Sequence, residues 1–381
     1  MERFASMVVK AARVARVVLL ASALCVAAAS TGHAACKTIT NLAPTACGVV
    51  ISTPGCYIIR NNLTATSDSG DCIEITAPDV YLNLADGEAI TGTGAGSTGN
   101  GIHVTSTAAG ATIVNGFVSS FNIGILAEAR VRLEGPLVEF SNADGIQLSN
   151  AAASKIVGAI AIYNGYNAGI EIDGSNDCSL LNVAAAANPL GVLVSGSSGT
   201  DISNANINGN DTWGILVTQA NSAPFALSNG ANISGSYVYS NGVVGIWVLG
   251  GNGNKISANQ IYENGRYGVW LDAAAGNEIG ENTLYGNGIA DVYLGCSETG
   301  PTGSIGCTNR ASANEIDLNS SNGNGDYPYG IVIDDSTNKS NMVLDNTSTM
   351  HTTDDMYDSN PKTANTWFAN TFTTASEPFI N

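Results

Sequence analysis

The stretch that decides the fold is Asn254–Leu294, "NKISANQIYENGRYGVWLDAAAGNEIGENTLYGNGIADVYL". It states one phrase twice. Asn254-Lys255-Ile256, Asn259-Gln260-Ile261, Asn264-Gly265 and Gly268-Val269-Trp270-Leu271 return 23 residues later as Asn277-Glu278-Ile279, Asn282-Thr283-Leu284, Asn287-Gly288 and Asp291-Val292-Tyr293-Leu294.

Working outward, the Gly-aliphatic-x-aliphatic element recurs at Gly101, Gly124, Gly145, Gly169, Gly191, Gly214, Gly245, Gly268 and Gly330. From Gly101 to Gly214 the intervals are 23, 21, 24, 22 and 23 residues. Each unit holds short alternating runs, and one unit cannot bury the apolar face those runs create. Stacking solves this: if about 23 residues make one coil, every strand bonds to its equivalents above and below, and the inward aliphatics line a continuous interior. Asn164-Gly165, Asn241-Gly242, Asn264-Gly265 and Asn287-Gly288 share one phase, where the chain is expected to turn with positive φ. Composition agrees, with 44 glycines, 12% charged residues and 44% hydrophobic residues. That mixture disfavours both a helical protein and disorder.

This phrasing resembles the right-handed parallel β-helix proteins of the pectin-lyase-like superfamily. It is most similar to their short-repeat branch, which includes the maturation protein of nitrous oxide reductase. The resemblance runs from about Cys56 to Val343. It implies an all-β, right-handed, single-stranded parallel β-helix of about ten to twelve coils. Leucine-rich repeats lack support, because their Leu-x-x-Leu-x-Leu core is missing. Expected boundaries are a secretory signal over 1–34, a cysteine-rich amino-terminal cap over 35–71, the β-helix over 72–348 and a carboxy-terminal cap or tail over 349–381.

The signal is read from Arg3, Lys10, Arg13 and Arg16 ahead of the apolar run Val17–Ala29, with small residues before a cut after Ala34. The run falls short of the ~20 residues of a spanning helix, so no membrane span is expected. Cys36 could carry a lipid, although His33 stands where a lipobox wants an aliphatic residue. The implied location is secreted, periplasmic or at the cell surface of a bacterium. Removing the signal takes four of fourteen basic and one of thirty-two acidic residues, leaving 10 − 31 = −21. Such a chain excludes nucleic acid, anionic lipid and polyanionic glycans as unbridged partners. Seven cysteines remain, in a compartment that permits disulfides. Cys36, Cys47, Cys56 and Cys72 crowd the amino end, Cys296 and Cys307 bracket a short Gly-rich loop, and Cys178 is expected to be free and buried.

If the second and fourth letters of Gly-Ile-x-Val point inward, the third letters stack outside the sheet. In order they are His103, Leu126, Gln147, Glu171, Leu193, Leu216, Trp247, Trp270, Tyr293 and Val332. Trp247, Trp270 and Tyr293 then form an outer aromatic strip, a place for a neutral oligosaccharide or polysaccharide. Insertions near Gln219–Asn229 and Cys296–Asn309 could wall it into a cleft, or cover it as a satellite core. Glu171, Asp173 and Asp272 are the acidic candidates for acid–base work on a glycosidic bond. The lyase, polygalacturonase and alginate-epimerase signatures of the resembling superfamily are absent as sets, so no catalytic residue is carried over. No cofactor is expected, and Met350, His351 and Met356 are too little to define a metal site. Three functions stay open: glycan binding along the strip, a polysaccharide hydrolase or lyase, and a non-catalytic structural or maturation protein.

Overall fold

The computed structural model describes residues 39–42, 46–84, 88–220, 226–295, 311–334, 338–378 and 380. The expected signal, Cys36 and the Cys296–Cys307 loop lie outside them. Among the described residues there is no α-helix, and three parallel sheets build a solenoid of about twelve coils.

One coil shows the plan. Tyr267–Asp272 lies in sheet 1, Glu278–Gly280 in sheet 2 and Thr283–Tyr285 in sheet 3, before Ala290–Leu294 re-enters sheet 1. The sheets contain 13, 14 and 13 described strands. Register is one coil per step, so Leu216, Trp247, Trp270, Tyr293 and Val332 are successive neighbours. The flanking letters point in: Ile246, Val248, Val269, Leu271, Val292 and Leu294 are all fully buried.

Coil strands extend beyond both expected boundaries of the β-helix. Val49–Ile51, Gly55–Ile59 and Leu63–Thr64 already pair with the next coil. Asp354–Asp358, Thr366–Phe368 and Thr371–Phe372 continue the three sheets through the tail. These strands lack the Gly-Ile-x-Val phrase, so the sequence period could not register them. A disulfide joins Cys47 to Cys72, Cys56 is also disulfide-bonded, and Cys178 is free and buried.

The Asn-Gly pairs act differently from expectation. Positive φ falls on the residue before each pair: 57° at Tyr163, 54° at Ser240, 54° at Glu263 and 68° at Gly286. The asparagines are buried and stacked. Asn264 Oδ1 accepts from the backbone N–H of Asn241 at 3.1 Å and from its Nδ2 at 2.9 Å, while Asn264 donates in the same way to Asn287. The ladder runs Asn164–Asn188–Asn210–Asn241–Asn264–Asn287. Two further ladders, Asn254–Asn277–Asn314–Asn341–Asn365 and Asn259–Asn282–Asn319–Asn346–Asn370, line the other two corners. Glycine follows because the coils approach closely: a Cβ on Gly265 would sit 2.0 Å from the Gly242 carbonyl oxygen.

Candidate functional site

Outside sheet 1 the side chains fall into two zones. In the apolar zone Leu190, Leu193, Leu216, Val244, Trp247 and Leu249 form a second hydrophobic cluster, separate from the interior, with Trp213, Tyr267 and Trp270 packed against it. Trp247 is only 2% exposed, whereas Trp270 and Tyr293, one and two coils further on, are half-buried. Trp247 is therefore a covered member of the strip. Its outward neighbours are themselves large and apolar, and together they exclude water from it.

The rings are fixed. Trp247 and Trp270 stack at 4.6 Å and 3°, Trp270 meets Tyr293 edge-on at 6.0 Å, and Tyr267 stacks on Tyr293 at 4.4 Å. Trp270 Nε1 donates to the Gly295 carbonyl at 3.2 Å, and the Tyr293 hydroxyl donates to exposed Asp334 at 3.0 Å. Burial and the neighbouring Asp334 carboxylate push the Tyr293 phenol far above its ordinary range. The expected walls are only partly visible, since 221–225 and 296–310 lie outside the described residues. The described ends of the first insertion are tied together by Ala220 N–H to the Ala226 carbonyl and by the Ser228 hydroxyl to the Thr218 carbonyl.

In the polar zone Glu171 is 6% exposed and takes hydrogen bonds from Gln147 Nε2 at 2.6 Å and Asn167 Nδ2 at 3.2 Å. Its partner is a residue that the periodic reading passed over. Asp144, also buried, accepts from the Ala168 N–H at 2.9 Å and shares a side-chain hydrogen bond with Glu171. Burial, then the adjacent Glu171 charge, holds Asp144 well above the carboxylate range; burial raises Glu171 as well. Both carboxyls are thus shifted toward their protonated forms, Asp144 the more strongly. Carboxyls in direct contact cannot straddle a glycosidic bond, which needs roughly 5 Å or more between them. Asp173 is half-buried beyond this pair, and Asp272 is buried opposite Leu249. The structure does not bring Glu171, Asp173 and Asp272 together as one site: Asp173 and Asp272 end strands four coils apart.

Two histidines sit between carboxylates. His103 Nδ1 lies 2.7 Å from Asp71 and Nε2 3.2 Å from Glu128; the Asp71 hydrogen bond outweighs burial and raises its pKa. His351 is enclosed near the carboxy-terminal coils, with Nδ1 2.8 Å from Asp355 and Nε2 3.3 Å from Ser321 and 3.4 Å from Asp291. These distances imitate a Ser-His-Asp triad, but Ser321 is 1% exposed and gives its proton to Asp291 at 2.7 Å, so no substrate reaches it.

Comparison with known proteins agrees with this architecture. A family profile described as "Periplasmic copper-binding protein (NosD)" matches residues 135–295, less than half of the chain. Among solved structures, the Dettilon tailspike protein (gp208) is similar with a TM-score of 0.59 at 16% identity, covering 73% of this chain and 61% of that one. The A-module of the Azotobacter vinelandii mannuronan C-5 epimerase AlgE4 gives 0.56 at 17% identity, covering 85% and 91%. No curated protein matches. The chain is a parallel β-helix repeat protein.

The copper in that family description would need soft or imidazole ligands that converge on one point. Both His351 nitrogens are engaged inside the fold, Met356 is buried in the core and Met350 is 56% exposed, so the three do not converge as soft ligands. Among the described residues no group of three His, Cys, Asp or Glu is placed to hold a metal ion. Among the described residues, then, no set fits copper.

Proposed function

We propose that this is a glycan-binding β-helix protein of an oxidising, extracytoplasmic compartment, and that it contacts a neutral oligosaccharide or polysaccharide along the outer face of sheet 1. The contact lies at the open end of the aromatic block, Tyr267, Trp270 and Tyr293. One observation carries this reading: these rings are half-exposed yet already locked by stacking and by the Gly295 and Asp334 hydrogen bonds. Binding to a rigid surface loses little side-chain entropy.

The face of Trp247 is spent on Trp270, so a sugar meets the rims of Trp270 and Tyr293 and the exposed Asp334 carboxylate rather than an open indole face. Neutral glycans are favoured because a mature charge of −21 (10 − 31) repels polyanions. The Cys47–Cys72 disulfide supports the compartment. That a structural relative is named for action on mannuronan supports a polysaccharide partner at the level of the fold.

The test is a panel of neutral and acidic oligosaccharides, read by tryptophan fluorescence and by product release. A shift with neutral glycans and no new reducing ends supports binding. Product release would move the protein to the enzymes. Silence across the panel would retire the reading in favour of a non-catalytic structural or maturation role.

A further inference from the structure

The outer face of sheet 3 differs from the rest of this acidic molecule. Sheet 2 presents Arg132, Glu134, Lys155, Lys255, Glu278 and Glu315 on its outward positions. On the described strands of sheet 3, from Ala89 to Phe372, Glu139 is the single charged outward side chain.

What replaces charge is organised in two blocks. Phe117, Leu137 and Ile160 are register neighbours followed by Ala184, and Ile162 lies beside Ala186. Phe140, 52% exposed, stacks on Tyr163 at this block's corner, and Tyr166 is 89% exposed. Beyond them, Tyr239, Tyr262 and Tyr285 form a ladder with centroids 4.7 Å apart and planes within 5°, beside Tyr237 at 46% exposed. Between the blocks lie the small side chains Ala184, Ala186, Asn206 and Asn208.

We infer that the outer face of sheet 3 is a self-association surface, and that its occupant is a second copy of this chain related by a two-fold axis that runs between the Ala184–Ala186 and Asn206–Asn208 strands. The charge distribution argues for a copy: the strands of this face carry Glu139 alone, with Glu263 at the corner beside Tyr262, so two chains this acidic repel least through it. The order of the blocks argues for the axis. A rotation there lays each aliphatic block on the other copy's tyrosine block, the self-complementary pattern of a closed dimer. Ile160 and Ile162 then face Tyr237 and Tyr239, and Leu137 and Glu139 face Gln260 and Tyr262, whose amide and phenol can satisfy the carboxylate. Small residues on the axis let the sheets approach. Twelve strands, six on each side of the axis, at ~4.8 Å spacing and three residues wide give a footprint of roughly 600 Å² per copy, about 1,200 Å² in all, the lower end of stable interfaces.

The axis sets the test. Positions 160 and 237 of opposite copies meet, so Ile160→Asp and Tyr237→Lys should each break the dimer, and the double variant should restore it through two new ion pairs. Analytical ultracentrifugation of the mature chain at micromolar concentration should give twice the monomer mass. Each single variant should weaken association tenfold or more, and the double variant should recover most of it. Tyr237 is exposed enough that its variant should melt like wild type, which separates lost association from misfolding. A monomeric wild type, or single variants that remain dimeric, would overturn the proposal. Single variants that dissociate without rescue would overturn the axis. Glycan binding at Trp270, on another sheet, should be unaffected.

Discussion

The asparagine ladder inside the corner between sheets 3 and 1 and the aromatic stack outside sheet 1 share one spacing. They climb the same coils, the ladder ending at Asn287 and the stack at Tyr293. They differ in how many sides are closed. Asn188, Asn210, Asn241 and Asn264, the inner rungs, are each buried and bonded to the coil before, the coil after and a backbone carbonyl. The stack is closed by sheet 1 on one side and by neighbouring rings along it, and it opens between Trp247 and Trp270. The interior repeat therefore sustains the solenoid, and the outer repeat is free to vary from leucine to tryptophan to tyrosine. That freedom is where function can enter.

The harshest way to test this contrast is to remove one rung. Asn264→Ala deprives the Asn241 N–H and Nδ2 of their acceptor and the Asn287 Oδ1 and Val238 carbonyl of a donor. Four buried hydrogen bonds are lost at ~0.5–1.5 kcal/mol each, and the Asn241 N–H is left without its acceptor, so the loss should be about 4 kcal/mol or more. Chemical denaturation should show it; a loss below about 1 kcal/mol would mean that water replaces the rung and the ladder is not what holds the corner. Trp247→Ala comes next, at about 3 kcal/mol, the lower end for a buried aromatic because only one side is backed by the main fold. If it melts like wild type, the outer cluster contributes no stability.

The contrast also explains what the sequence could and could not tell. Repetition of Gly-Ile-x-Val told inside from outside, because alternation along a strand is geometric and leaves the third letter no other face. It could not tell a left-handed turn from a buried ladder, since Asn at a constant phase satisfies both; Glu263 holds the positive φ that the following Asn-Gly was expected to hold. Nor could it tell that Trp247 is covered and Trp270 half-open, which depends on Leu193, Trp213 and Leu216 from the two preceding coils. Asp144 escaped notice because it precedes the repeated phrase instead of occupying a letter of it. The ladder Tyr239–Tyr262–Tyr285 was visible at the same 23-residue spacing, but on a different strand from the Gly-Ile-x-Val phrase.

A third test works where the ladder stops. His351 takes the corner two coils beyond Asn287 and bridges Asp291 and Asp355. Burial alone would lower its pKa, but the hydrogen bonds and charges of the two carboxylates raise it on balance, and His351 in turn lowers that of Asp355 against its own burial. For a raised folded-state pKa, the stabilisation is complete below the unfolded value near 6.5 and is lost as pH rises through the folded value. The Asp355 contribution runs the other way and is lost in acid. Melting temperature should therefore fall on alkalinisation above neutrality, and His351→Asn, which extends asparagine chemistry into the corner, should flatten that fall. His103, also raised, contributes in the same direction, so the informative quantity is the difference between wild type and His351→Asn. An identical alkaline slope in both would show that the buried bridge does not titrate in this range.

The smallest stability effect should come from the residue on which the functional proposal rests. Trp270→Ala removes a half-buried ring, one stacking contact worth ~0.5–1.5 kcal/mol and one hydrogen bond to Gly295, so a cost of about 1–2 kcal/mol is expected, clearly below that of Trp247→Ala. Its effect on glycan-induced fluorescence should be the reverse: Trp270→Ala should abolish the response, while any Trp247→Ala protein that still folds should keep most of it. This inversion separates the two halves of the strip whichever neutral glycan gives the signal. If both substitutions cost the same stability and neither changes the glycan response, the strip is packing along its whole length, and binding must be sought on another face.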